Sequence, residues 1–362
     1  MPLDGKRGNG SLKEVGLKVM QRNLSYLLEA VMVCWLVAPS SGMKCLAEEV
    51  TEHPEIRCDP ANVLGAESCA KCHEKELNQW KLTPHYATFE TLHRKPEAKA
   101  IVEKLGLKSI KRNDTCVGCH YTRQQVDERE RIVAGVSCES CHGAAKDWLA
   151  LHNDYGGPAA TKEGESAEHR QERIESSVAA GMNNPANLYL VARQCLACHT
   201  TPNEELVNVG GHTAGSLEFE LVSWSQGMVR HNFLRTNGTD NASLNPAQLR
   251  VMYVVGVMAD LEASFRATAK ATAKATFGIT SAQRAARLKQ KLYDIDQLVD
   301  DPNIKRALAA ALSEPLKLDR GEELAAAADL IGQATSDFAK SANGDELAPL
   351  DSLLPTPDKY RK

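Results

Sequence analysis

Aromatic side chains are scarce in this chain: Phe, Trp and Tyr together make up 5% of its 362 residues. That is little planar apolar surface for a soluble core of this size. An excess of charge of one sign is also missing. A formal net charge of -4 gives no whole-chain argument for a nucleic-acid partner or an anionic membrane surface. Long hydrophobic runs are lacking as well, since the apolar stretch at residues 30–38 is too short to span a bilayer comfortably. No nucleophilic triad, phosphate-binding loop or carboxylate pair rises above background. What stands out is cysteine and histidine, 11 of each, and their spacing.

Cys-x-x-Cys-His occurs four times: Cys69-Ala-Lys-Cys72-His73, Cys116-Val-Gly-Cys119-His120, Cys138-Glu-Ser-Cys141-His142 and Cys195-Leu-Ala-Cys198-His199. This is the attachment signature of a c-type haem: two thiols add to the porphyrin vinyl groups and the adjacent imidazole becomes the proximal iron ligand. The expected cofactors are four covalently bound haem c groups, which would supply the planar surface that aromatic side chains do not. Eight of the 11 cysteines serve these motifs, and Cys34 and Cys45 lie in the N-terminal segment. Cys58 is left over and reads as an incidental free thiol. A structural zinc protein would also use cysteine pairs, but a histidine follows every pair here and the chain opens with an export segment.

That segment is residues 1–47: Lys13, Lys18 and Arg22, the apolar run, then small residues and Cys45-Leu46-Ala47 before Glu48. Met20 is an alternative start, and Glu29 beside the apolar run leaves an uncleaved anchor, hence membrane contact, as the alternative outcome. Export to the bacterial periplasm agrees with covalent haem attachment on that side of the membrane. The fold expected is mainly α. Residues 48–240 carry the motifs on short helices and loops around the haems, 241–341 form a helical bundle or cover, and 342–362 form a flexible tail. Thr83-Pro84 opens a helix through Leu92 with His85, Phe89 and Leu92 on one face. Residues 156–173 read as an exposed loop. Asn245-Pro246 caps a long helix with Leu249, Met252, Tyr253, Val257, Leu261 and Phe265 at helical spacing. Further stripes are Leu288, Leu292, Ile295 and Leu298, a helix opened by Asp301-Pro302, and Leu324, Ile331 and Phe338. The Ala-Thr repeat at 267–274 reads as a solvated helix end.

Function turns on the second axial position of each iron: a second imidazole makes an electron carrier, whereas an open face binds small molecules. Seven histidines lie outside the motifs. His53, His93 and His169 sit in polar surroundings and read as solvated. His85 shares an apolar helix face and His152 follows Trp148, Leu149 and Leu151, so both are distal-ligand candidates. His212, in a glycine-flanked turn, and His231 are further candidates, with an ordinary hydrogen-bonded histidine as the alternative for each.

The runs Cys69-Ala-Lys-Cys-His with Trp80 and Thr83-Pro-His85, Asp114-Thr-Cys-Val-Gly-Cys-His120, Gly135-Val-Ser-Cys-Glu-Ser-Cys-His-Gly143 with His152, and Gln194-Cys-Leu-Ala-Cys-His199 resemble the tetrahaem cytochrome c-554 family. The resemblance covers roughly residues 66–200. It implies stacked haem pairs, three irons with two imidazoles and one five-coordinate iron. His152 would then ligate the first haem and His85 the third, with His212 or His231 on the fourth, leaving the second, on His120, open. If both His212 and His231 are ligands, the open site disappears. The chain departs from the family after residue 200.

The leading expectation is an exported electron relay between redox proteins, such as a nitrogen-oxidising multihaem enzyme and a membrane-side cytochrome. The alternative is an oxidoreductase reducing nitric oxide, nitrite or hydroxylamine at an open haem on His120, with Arg123 near an anionic substrate.

Overall fold

A computed structural model describes residues 58–362. The chain divides into two units, residues 1–51 and 52–362, and the first lies wholly outside the described residues. The expected export segment, Cys34, Cys45 and His53 therefore fall outside the description.

The first part is a string of short elements: α1 (Ala70–Trp80), α2 (Pro84–Thr91), α3 (Pro96–Lys104), α4 (Asp114–His120), a hairpin of β1 (Thr122–Val126) and β2 (Arg129–Ala134), α5 (Cys138–His142), α6 (Ala167–Ala179), α7 (Leu188–His199), α8 (Glu204–Asn208) and α9 (Leu221–Ser225). Several open at a polar side chain that accepts a free backbone N–H: Thr83 on α2, Asn113 on α4, Ser166 on α6, Asn187 on α7 and Asn203 on α8. Three motif histidines, His120, His142 and His199, are the last residues of their helices, and His73 breaks the helical conformation of α1. The Cys-x-x-Cys spacing on a helix puts both thiols on one side.

The second part is a bundle of α10 (Pro246–Ala269), α11 (Thr276–Asp296), α12 (Pro302–Ser313) and α13 (Gly321–Ser341). Asn245 and Gln248 close a capping box on α10, and Asp301 accepts the N–H groups of Asn303 and Ile304 at the start of α12. Leu261, Phe265, Leu292, Ile295, Leu324, Ile331 and Phe338 are fully buried. Tyr189, Ala192 and Leu196 of α7 belong to the same core, so the helix ending in the fourth motif is built into the bundle.

Several expectations need correction. The hairpin was not anticipated, and part of the segment expected to be loop is the helix α6. The Ala-Thr repeat is a helix end, as expected, but only partly solvated: the helix stops at Ala269, and Lys270, Thr272, Ala273 and Lys274 are exposed, whereas Ala267, Thr268 and Ala271 are buried. The Glu204 carboxylate accepts the N–H groups of Thr272 and Ala273 where α10 stops. Leu298 lies outside the buried stripe. The tail is fastened rather than loose, because Leu347 and Leu350 are buried in the bundle core. Farther on, Arg361 exchanges backbone hydrogen bonds with Ser223 (2.9 Å) and Met228 (2.8 Å). Among the described residues, no helix is long and apolar enough to cross a membrane.

Candidate functional site: four facing histidine pairs

Each motif histidine faces one histidine from outside the motifs. Ring centroids are 6.3 Å apart for His73 and His152, 6.2 Å for His120 and His212, 6.1 Å for His142 and His231, and 6.2 Å for His199 and His85. A metal–imidazole bond is about 2 Å and the ring centre lies about 1.1 Å farther, so two imidazoles trans on one metal have centres about 6.3 Å apart. All four pairs have that separation. We refer to them as sites 1 to 4 in motif order.

The pairing differs from the one implied by family resemblance. His85 faces His199 of the fourth motif, not His142 of the third. His231 faces His142, and His212 faces His120, the site that the resemblance would leave open. His212 and His231 thus belong to two different facing pairs. His93 is half-buried and His169 is bound to Glu165, and neither belongs to a facing pair.

Local chemistry bears on what these rings can bind. Burial holds His120, His142 and His199 down at about 4, and also lowers His85 and His152, so the imidazoles are neutral, as metal ligands must be. Five rings turn Nδ1 towards a protein oxygen: His152 to Leu149 (2.6 Å), His231 to Val229 (2.6 Å), His212 to Thr213 (2.9 Å), His199 to Ser216 (3.0 Å) and His142 to Asn183 (3.4 Å). A proton donated from Nδ1 leaves the Nε2 lone pair for a metal.

Tight backbone contacts set the rings in place. The His85 carbonyl accepts Val136 N–H (3.1 Å). A Cβ at Gly135 would stand 2.2 Å from that oxygen, so only glycine permits the approach. Thr88 bridges the carbonyls of His85 (2.7 Å) and His120 (3.0 Å). Trp80 Nε1 donates to Val136 O (2.8 Å), holding α1 near the third motif.

The four sites fall into two groups. His142 lies within electrostatic reach of His73 and His152, and His199 within reach of His85 and His120. The thiols follow the same division: Cys69 lies within reach of Cys138, and Cys119 within reach of Cys198. Cys141 acts on Cys195 and Cys198, so the third motif adjoins the fourth. None of the nine described cysteines is joined to another in a disulfide. Among the described residues, no three His, Cys, Asp or Glu side chains converge on a point as they would around a bare metal ion. A metal between facing imidazoles therefore needs its remaining ligands from a group such as a porphyrin, and a cysteine pair stands next to one member of every histidine pair.

Two residues escaped the sequence reading. Glu139, between the cysteines of the third motif, is 1% exposed and accepts the N–H groups of Leu64 (2.9 Å), Gly65 (2.8 Å) and Ala145 (2.8 Å). It clamps the segment before α1 onto the third motif. Cys58 is not incidental to the packing: its Sγ donates to Glu139 O (2.8 Å), and burial, aided by Glu139 and Cys141, pushes the thiol up to about 12. Neither role has a periodic signature, because both follow from chain segments that meet only in the fold.

Residues 68–143, which take in the first three motifs, match the family model for cytochrome c554 and c-prime. Cytochrome c-554 of Nitrosomonas europaea is 31% identical over 103 residues, 25% of this chain and 43% of that protein. The chain thus spans less than half the length of that relative. No solved structure matches.

Proposed function

We propose that this chain is an exported tetrahaem c-type cytochrome that relays electrons between redox proteins. The observation that carries the reading is the set of four facing histidine pairs, each with one member directly following a cysteine pair. Cys69 and Cys72, Cys116 and Cys119, Cys138 and Cys141, and Cys195 and Cys198 would hold one haem each. His73 with His152, His120 with His212, His142 with His231, and His199 with His85 would be the axial ligands. A haem so bound supplies one-electron iron chemistry.

The protein's part is to hold. Two imidazoles held at this spacing would offer a haem iron the same ligands in both oxidation states, which would keep reorganisation small. The adjacency of the third and fourth motifs supports a continuous route between the two groups of sites. The reductase alternative needs a free face at His120, and the His212 ring stands 6.2 Å away on the side a substrate would use. The match to cytochrome c-554 supports a cytochrome-like electron-carrier role, and the reading places that role in nitrogen-compound or anaerobic respiratory metabolism, with a multihaem enzyme or membrane-side cytochrome as partner.

The test is haem stoichiometry. Protein produced with a haem-attachment system should retain four haems per chain after denaturation, counted by absorbance and intact mass, and should fractionate with the periplasm. Fewer than four, or haem lost on denaturation, contradicts the reading.

A further inference from the structure

Sites 1 and 4 share a device that sites 2 and 3 lack. At site 4, Arg284 of α11 grips the Asp260 carboxylate of α10 through Nε (2.7 Å) and Nη2 (2.8 Å). Its third nitrogen, Nη1, donates to the carbonyls of His199 (3.2 Å) and Ser216 (3.2 Å). Arg284 and Asp260 are each 5% exposed. Gly215 makes room, since a Cβ there would meet His199 O at 2.8 Å and Arg284 Nη1 at 3.1 Å. At site 1, Arg173 of α6 holds Glu165 through Nε (2.7 Å) and Nη2 (2.6 Å) and turns Nη1 onto the carbonyl of His152 (2.7 Å). The same three nitrogens take the same three roles on unrelated elements.

The motif-histidine carbonyls of sites 2 and 3 meet neutral partners. His120 O accepts from the Thr88 hydroxyl, and His142 O from the Asn183 N–H. Since sites 1 and 3 form one group and sites 2 and 4 the other, each group contains one guanidinium-bound site and one without.

We propose that Arg173 and Arg284 are positioning residues that raise the reduction potentials of sites 1 and 4 above those of their neighbours, so that each group of haems is polarised. This rests on the haem reading above. The physical reason is charge. Reduction adds an electron to the site, and a guanidinium held against the ligand's own backbone stabilises the added charge. Its carboxylate lies on the far side of the fork and opposes it from a greater distance. The effect at site 4 is the larger, because the Arg284 guanidinium is more deeply buried than that of Arg173 and less screened by water.

The experiment is a spectroelectrochemical titration of the haem-loaded full-length protein and its variants. Arg284→Met should move one of the four midpoint potentials down and Asp260→Asn should move the same one up. Arg173→Met and Glu165→Gln should do so, by less, at a different haem. Arg284→Lys, which keeps the charge but not the fork, should stay close to the parent. A residue that only supports the fold would shift both single variants the same way. Should Arg284→Met fail to fold, the upward shift in Asp260→Asn and the site 1 variants still decide. Failure to find four haems would sink the haem reading before any potential is measured. Four haems with unchanged spectra and unmoved potentials, or shifts of equal sign in both partners, would overturn this inference alone.

Discussion

Residues 58–187 and the bundle from residue 246 are held together by different means. The largest fully buried side chains, Phe265, Phe277, Phe338, Met258 and several Leu and Ile, come from α7, the bundle and the tail, and none lies in 58–187. In the bundle, apolar area removed from water stabilises long helices at about 25 cal/mol per Å². Residues 58–187 instead have short capped helices, the Glu139 clamp and bonds to histidine carbonyls, and they carry three of the four motifs and five of the eight paired histidines. A segment that buries so little side-chain surface calls for another apolar body to fold around, and on the proposed reading the haems would meet that need and make up for the scarcity of aromatics.

The bundle side of the comparison breaks most severely at Leu261, which is fully buried. Leu261→Asp puts a carboxylate into an apolar core and should cost about 4 kcal/mol or more, much of a typical domain's stability. Thermal melting should show the loss, and because α7 shares the core, site 4 should lose its axial pairing as well. An unchanged melting curve would contradict the shared core.

The motif side should break when haem is withheld. Protein made without a haem-attachment system should be cut readily by protease within residues 58–187 while 246–341 stays protected, as read by mass spectrometry of the fragments. Equal protection of both regions would mean the first part needs no cofactor.

A single ligand gives a smaller and more local effect. His212→Ala should convert one haem in four from low to high spin and allow it to bind nitric oxide, leaving the bundle's melting unchanged. An unaltered spectrum would remove His212 from site 2.

The gentlest perturbation is acid. Arg173, with His169 adding to it, holds the Glu165 carboxyl down at about 2, against 4.5 for an ordinary glutamate. A depressed carboxyl stabilises the fold above its unfolded value, and that contribution is lost as pH falls from about 4.5 through about 2. Glu165→Gln should lower stability at neutral pH and flatten the profile between about 4.5 and 2, so that variant and parent converge in acid, measured by denaturant unfolding at several pH values.

The bundle was legible because it follows helical periodicity and capping rules: Asn245-Pro246 and Asp301-Pro302 mark starts, and Leu261, Phe265, Ile331 and Phe338 mark the buried face. The motif histidines were legible because their spacing is chemical rather than structural. What could not be read was which ring meets which. His85 and His199 are 114 residues apart in sequence, and their meeting depends on Gly135 admitting the His85 carbonyl and on α7 joining the bundle. Glu139, Arg173 and Arg284 were hidden for the same reason, each acting on backbone brought in from another segment.

The measurement that bears most directly on the central claim is an electron paramagnetic resonance spectrum of the oxidised, haem-loaded protein, quantified against haem content and repeated with nitric oxide. The four facing pairs predict a wholly low-spin spectrum, indifferent to nitric oxide. A high-spin signal worth about one haem in four, altered by nitric oxide, would contradict the pairing of His120 with His212 and restore an open, reactive iron.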